Sequence, residues 1–239
     1  MSAAALLEVC NFCVDVADRA VLSEISFAIA PGTIVGLCGD SGCGKTTLAL
    51  GLLQLLPSPP YRVRGEAVMD GRNLLSLTER ELESVRGERI GIVFQDALLA
   101  LNPVLRVRTQ LSEILRAHGV NRPLDQLLSL AGLPDPDRIL PKYPHQLSGG
   151  ERQRVTIAQA LACRPTLVIA DEPFTALDAP RVVELAGLFR RLRDQTGASF
   201  LVISHSAGVL AGMADEVLRL SGGRIVERGT VREVLRDGV

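Results

Sequence analysis

Residues 39–47 read GDSGCGKTT, and no other stretch limits what this chain can fold into as tightly. The spacing is G-x-x-x-x-G-K-[ST]. A short apolar run, TIVGLCG (33–39), leads into it, and the helical pattern TLALGLLQLL follows and closes at Pro57. Strand, glycine loop and helix in that order form a phosphate cradle. The glycines let successive backbone N–H groups close around a polyphosphate, and the helix start adds unpaired N–H groups and the positive end of its dipole. Lys45 then reaches the β- and γ-phosphates and the Thr46 hydroxyl binds Mg²⁺, with Gly39, Asp40, Ser41, Gly42, Cys43, Gly44 and Thr47 completing the loop. The alternative, a glycine-rich turn at an ordinary helix start, leaves the lysine and hydroxyl at that spacing unexplained.

A phosphate loop of this kind implies an α/β domain, and the rest of the chain agrees. RIGIVF (89–94), PTLVIADE (165–172) and SFLVISH (199–205) are short continuous apolar runs, as parallel strands buried on both faces tend to be. Residues 6–16 and 21–29 alternate instead, with Ile25, Phe27 and Ile29 on one face, and GEAVMDGRNL adds a strand and an Asp70-Gly71 turn. Between about 104 and 160 the pattern becomes helical, with Leu111, Ile114 and Leu115 on one face. The expectation is a single domain over 1–239. Its α/β core comprises 1–95 and 161–239, with a helical subdomain over about 96–160. The strand LVIA ends in Asp171-Glu172, at the carboxyl end where ligands bind in open α/β sheets. Asp171 there holds Mg²⁺ through water, and Glu172 polarises an attacking water.

A second anion site stands about a hundred residues further on, where Ser148-Gly149-Gly150 opens a charged helix. LSGGERQR resembles the signature sequence of ATP-binding cassette ATPases, and other motifs fall in that family's order along nearly the whole chain. Gln95 in IVFQD resembles its Q-loop, LVIADEP its Walker B strand, TALD (175–178) its D-loop, and His205 in LVISHS its switch histidine. The resemblance implies a P-loop NTPase with a mixed, largely parallel central sheet, an N-terminal antiparallel β part and a helical insertion. It further implies that two such subunits pair head to tail, each ATP lying between the P-loop of one and the signature of the other. Ser148, Gly149 and Gly150 then meet a γ-phosphate held by the partner, Asp178 belongs to the D-loop, and Gln95 serves metal and water. Lys45, Glu172, Gln95 and His205 form the catalytic set. Three positions depart from the family's pattern. Val16 stands where an aromatic ring stacks on adenine, Phe174 replaces a small hydroxyl residue, and Ser206 replaces an Asp after the histidine.

FQDALLALNPVLRV (94–107) and the stretch from Tyr143 to Pro173 are similar to ATPases of peptide and nickel importers, a group that includes carriers of metal–metallophore complexes. The implied partners are a second homologous ATPase or a copy of this one, two membrane permeases, and indirectly an extracytoplasmic substrate-binding protein. A cassette ATPase of a cytosolic enzyme complex, such as one for phosphonate degradation, shares every motif. Composition excludes some classes. With 26 Lys and Arg against 27 Asp and Glu, there is no electrostatic reason to expect nucleic acid as a partner. The longest apolar stretch, 48–56, is about half a membrane span, and MSAAALLEVCNFC has no secretion-signal pattern. Five cysteines suggest a reducing compartment, so the expected location is peripheral, at the cytoplasmic face of the inner or plasma membrane. Cys10 and Cys13 are expected on opposite faces of a strand and therefore not as a redox or metal pair.

Overall fold

The computed structural model describes residues 5–175 and 177–234; residues 1–4, which begin the stretch tested for a secretion signal, and Ala176 of TALD lie outside the described residues. Among the described residues, ten strands and ten α-helices follow in chain order. The first are β1 (Leu7–Val16), β2 (Arg19–Ile29), β3 (Ile34–Gly39), α1 (Lys45–Leu52), β4 (Tyr61–Met69), β5 (Arg72–Asn73), α2 (Glu79–Glu88) and β6 (Ile90–Val93). A helical stretch comes next, with α3 (Ala97–Ala100), α4 (Val107–Ala117), α5 (Leu124–Leu130), α6 (Pro136–Ile139) and α7 (Gly149–Leu161). The chain then returns to the sheet through β7 (Leu167–Asp171), α8 (Ala179–Thr196), β8 (Ser199–Ile203), α9 (Ala207–Ala211), β9 (Glu216–Ser221), β10 (Arg224–Gly229) and α10 (Val231–Val234).

Two sheets form. The alternating segments make an antiparallel sheet ordered β2-β1-β4-β5, and the continuous apolar runs make a six-stranded sheet ordered β10-β9-β3-β8-β7-β6. In the second sheet all pairings are parallel except β9 with β10. The absence of alternation in these runs has a direct cause: both faces are covered. Val35, Leu37, Ile169, Leu201 and Ile203 join a core shared with α1 and the antiparallel sheet. Ile34, Val168, Ala170, Phe200 and Val202 face the other way, into a core shared with α4, α5, α7 and α8.

Two local expectations are revised, one for the helix after the phosphate loop and one for Cys10 and Cys13. Phe174, where the family's pattern has a small hydroxyl residue, is 7% exposed and meets Phe189 edge-on at 6.0 Å. The helix after the phosphate loop stops at Leu52, short of Pro57. Arg86 of α2 takes the carbonyls of Leu53 and Gln54, so a distant side chain caps it. The register of β1 shifts between Val9 and Phe12, with Asn11 at φ 47°. Val9, Phe12 and Val14 all point inward, so Cys10 and Cys13 both lie on the outer face rather than on opposite ones. No group of three His, Cys, Asp or Glu among the described residues could hold a metal ion there.

Candidate nucleotide site

The carboxyl ends of β3, β6, β7 and β8 converge on one cleft, as the strand-end rule for open α/β sheets requires. β3 runs into the glycine loop at Gly39, whose φ is 152°. A Cβ at Gly39 would collide with the Leu220 carbonyl of the neighbouring strand, so this position needs glycine on both counts. Gly44, at φ 108°, lies against Leu22 of β2, where a Cβ would come within 2.6 Å of Leu22 Cδ2. The loop is thus seated on both sheets.

Lys45 opens α1 and is 7% exposed. Its Nζ donates to the carbonyls of Gly39 at 2.8 Å and Asp40 at 2.9 Å, bending the side chain back across its own loop. Glu172 Oε1 stands 3.9 Å from the same ammonium. Parallel pairing of β7 with β8 sets Asp171 opposite Ile203, and the Glu172 N–H donates to the Ile203 carbonyl at 3.0 Å. Glu172 turns off the strand with φ 46°, an uncommon conformation for a non-glycine residue. The turn brings its Oε2 to 2.8 Å from His205 Nδ1, so two residues 33 apart in sequence meet here. Glu172 is buried and the His205 side chain is largely exposed.

Asp171 is 4% exposed, and its Oδ1 has no hydrogen-bond partner. Burial, the largest influence, pushes its pKa up; the neighbouring Thr46 hydroxyl and the Lys45 charge pull it down, and Glu172 pushes it further up. A buried carboxylate with one bare oxygen beside a threonine hydroxyl suits a hydrated divalent cation, because oxygen donors are what Mg²⁺ takes.

The cleft has a volume of about 290 Å³, and Ser41, Gly42, Gly44, Lys45, Thr46, Thr47, Gln95, Glu172 and His205 line it. Thr175 also lines it; as the first residue of TALD it was visible in sequence but not singled out. The Gly39 and Asp40 carbonyls are held by Lys45, and Cys43 packs against the core below the loop. The other expected residues are elsewhere. Ser148 and Gly150 border a separate cavity of about 260 Å³ with Arg138, Gln153, Arg154 and Arg181. Ser148 caps α7, accepting from the Glu151 N–H at 3.2 Å, while Glu151 accepts from the Ser148 N–H at 2.8 Å. Burial opposes ionisation of Glu151, but the Ser148 N–H and Arg138 hold its pKa below the ordinary value. Asp178 caps α8 by accepting from the Arg181 N–H at 3.0 Å. Val16 ends β1 opposite Tyr61 and does not line the cleft.

The sequence profile of the ABC transporter family matches residues 22–175, which contain the phosphate loop, Gln95, the Ser148 turn, Asp171 and Glu172. The chain belongs to the ABC transporter family. It is 42% identical over 221 residues to a probable peptide ABC transporter ATP-binding protein, y4tR, of Sinorhizobium fredii, covering 89% of this chain and 66% of that one. It is 40% identical over 220 residues to the oligopeptide transport ATP-binding protein OppD of Bacillus subtilis, covering 89% and 62% respectively. The chain therefore spans slightly less than two thirds of the length of these relatives. Among solved structures of the family, CbiO1 of Clostridium perfringens, part of the transporter complex cbiONQ, matches with a TM-score of 0.82 at 26% identity, over 98% of this chain and 91% of that one. The ATP-binding cassette MJ0796, a dimer in a post-hydrolysis state with ADP and Pi, matches with a TM-score of 0.80 at 26% identity, over 95% and 99%. These likenesses establish an ABC ATPase fold.

Proposed function

We propose that this chain is the ATP-hydrolysing subunit of a peptide importer, and that it closes each ATP between its own phosphate loop and the signature turn of a second ATPase subunit. The observation that carries the reading is the pair Gly149-Gly150. Neither glycine has positive φ, and apart from the adjoining residues and the helix's own backbone no atom lies within 4 Å of where a Cβ would stand at either. Glycine in a helix costs up to about 1 kcal/mol relative to alanine, so two at the start of α7 are unfavourable without a compensating role. Nothing in the chain's own packing requires them. A close approach by a ligand held on another subunit accounts for both, and the capped helix start faces outward to receive it.

Within the cleft, the loop N–H groups wrap the phosphates, and Lys45 exchanges the Gly39 and Asp40 carbonyls for phosphate oxygens. Thr46 and Asp171 are the residues that would hold Mg²⁺, with Gln95 at the cleft edge. Bound there, the ion offsets phosphate charge. Glu172 orients the attacking water and accepts its proton, while His205, hydrogen-bonded to Glu172, is positioned to contact the γ-phosphate. Asp178 and the rest of its turn then face the partner.

The relatives are peptide, oligopeptide and dipeptide transport ATP-binding proteins, which favours peptides over nickel or metal–metallophore cargo. A groove of about 270 Å³ beside β6, α4 and α7, lined by Leu55, Phe94, Ile114 and Gln159, supports contact with a permease. Phe94 is 40% exposed on it, and nearby Leu99 is 84% exposed. No helix among the described residues is long and apolar enough to cross a membrane. The proposed complex pairs the ATPases with two permease subunits, with a binding protein delivering cargo outside. The proposed site of action is the cytoplasmic face of the membrane.

Ser148→Arg tests the shared site. The substitution should leave ATP binding to the isolated subunit nearly unchanged and cut turnover of the assembled pair about a hundredfold at the site it serves. Combining it with a partner whose own phosphate loop is disabled should leave one complete site. If nucleotide trapping instead placed the Ser148→Arg and Lys45→Ala defects of one chain in the same site, the head-to-tail arrangement would be wrong.

A further inference from the structure

A nucleotide held by the phosphate loop must rest its base somewhere, and the chain has few rings to offer. It contains six Phe, two Tyr and no Trp. Phe12, Phe27, Phe174, Phe189 and Phe200 are buried in the cores. Phe94 lines the groove beside Gln95, at the end of the cleft where Glu172 and His205 wait for the terminal phosphate, opposite to where a base would lie. Tyr143 is occupied, stacked on His145 with the Arg106 guanidinium 5.4 Å from its centroid. One ring remains. Tyr61, at the start of β4, is half-buried at the rim of the core that also takes in Cys43 and α1.

The strand register carries Tyr61 toward the loop. Tyr61 lies directly opposite Val16, and Val63 opposite Val14, so these four residues share one face of the antiparallel sheet. That face is the inner one, because Val14 is fully buried. Val14 also pairs with Leu22, the residue against which Gly44 of the phosphate loop is seated. From Leu22, two strand spacings and two residues of rise separate the loop from Tyr61, about 12 Å. This is roughly the reach of a nucleoside triphosphate from its β-phosphate to its base.

We infer that Tyr61 is the platform on which the base of the bound nucleotide stacks, reached across β4 rather than from the end of β1. This rests on the proposal that the phosphate loop binds ATP, and the test separates the two. Tyrosine emission is a direct readout in a chain without tryptophan. Binding of ADP or ATP should quench it in the parent chain and in Tyr143→Phe, and should leave emission unchanged in Tyr61→Phe. Tyr61→Leu, which keeps an apolar side chain and removes the ring, should weaken ATP binding about tenfold while binding of inorganic tripolyphosphate stays the same. Tyr61→Phe should keep ATP affinity near the parent's. Retention of the parent's ATP affinity by Tyr61→Leu, or quenching that survives in Tyr61→Phe, would overturn the platform. Loss of tripolyphosphate binding in Tyr61→Leu would overturn it as well, since the ring would then be acting on the loop. The phosphate reading fails separately, if Lys45→Ala binds tripolyphosphate as well as the parent does.

Discussion

Asp171→Asn should make the empty protein more stable, the reverse of what most substitutions in a core do. Asp171 is 4% exposed, carries one oxygen without a partner, and has its pKa raised chiefly by burial. A raised folded-state pKa means that folding favours the protonated form. The group's favourable contribution is complete below its unfolded pKa and is lost as the pH climbs through the folded value. At neutral pH the ionised carboxylate is therefore a net cost. Asparagine keeps the shape and cannot ionise, so about 1–2 kcal/mol should be recovered, the order of an unsatisfied buried polar group. For a chain of this length each kcal/mol moves Tm by about 2–4 °C, which gives a rise of roughly 2–8 °C. Thermal melts followed by circular dichroism at neutral pH should show the rise, and the gap should close in acid, where the parent carboxylate is protonated. Mg-ATP should reverse the order. Ligand at a hundred times Kd adds about 2.7 kcal/mol to the parent, and the variant should gain less because a metal-facing oxygen is gone. A lower Tm for the nucleotide-free variant at neutral pH, or an undiminished gain from Mg-ATP, would refute the reasoning.

Glu172→Gln should keep ATP binding and lose most turnover, whereas Lys45→Ala should weaken binding itself; equal loss of affinity in both, by equilibrium titration, would show the roles misassigned. Gly39→Ala should destabilise the fold by about 1–3 kcal/mol, because it forces a Cβ against the Leu220 carbonyl at φ 152°, and an unchanged melting curve would contradict that.

Much of this protein was legible in its sequence, for reasons that are local. The phosphate loop depends on glycine freedom, a lysine and a hydroxyl at fixed spacing, all within nine residues of one another. The buried strands show as apolar runs because both of their faces are covered, and the ends of β7 and β8 could be read from the acids and the histidine that follow them. The helical stretch after Gln95 shows in its periodicity. The tertiary structure decided whatever depends on pairing between distant segments. The β1 bulge turned Cys10 and Cys13 to one face, since strand alternation counts residues only while the register is unbroken. α1 ended before Pro57, where Gln54 takes a left-handed conformation at φ 50° and the Leu53 and Gln54 carbonyls accept from Arg86 of a later helix. Phe174 went to the core, since Phe189 and Phe200, from another helix and strand, form an edge-on cluster that can take it. The His205–Glu172 hydrogen bond and the facing of Tyr61 and Val16 likewise come from strand register, which a single sequence does not specify for segments so far apart.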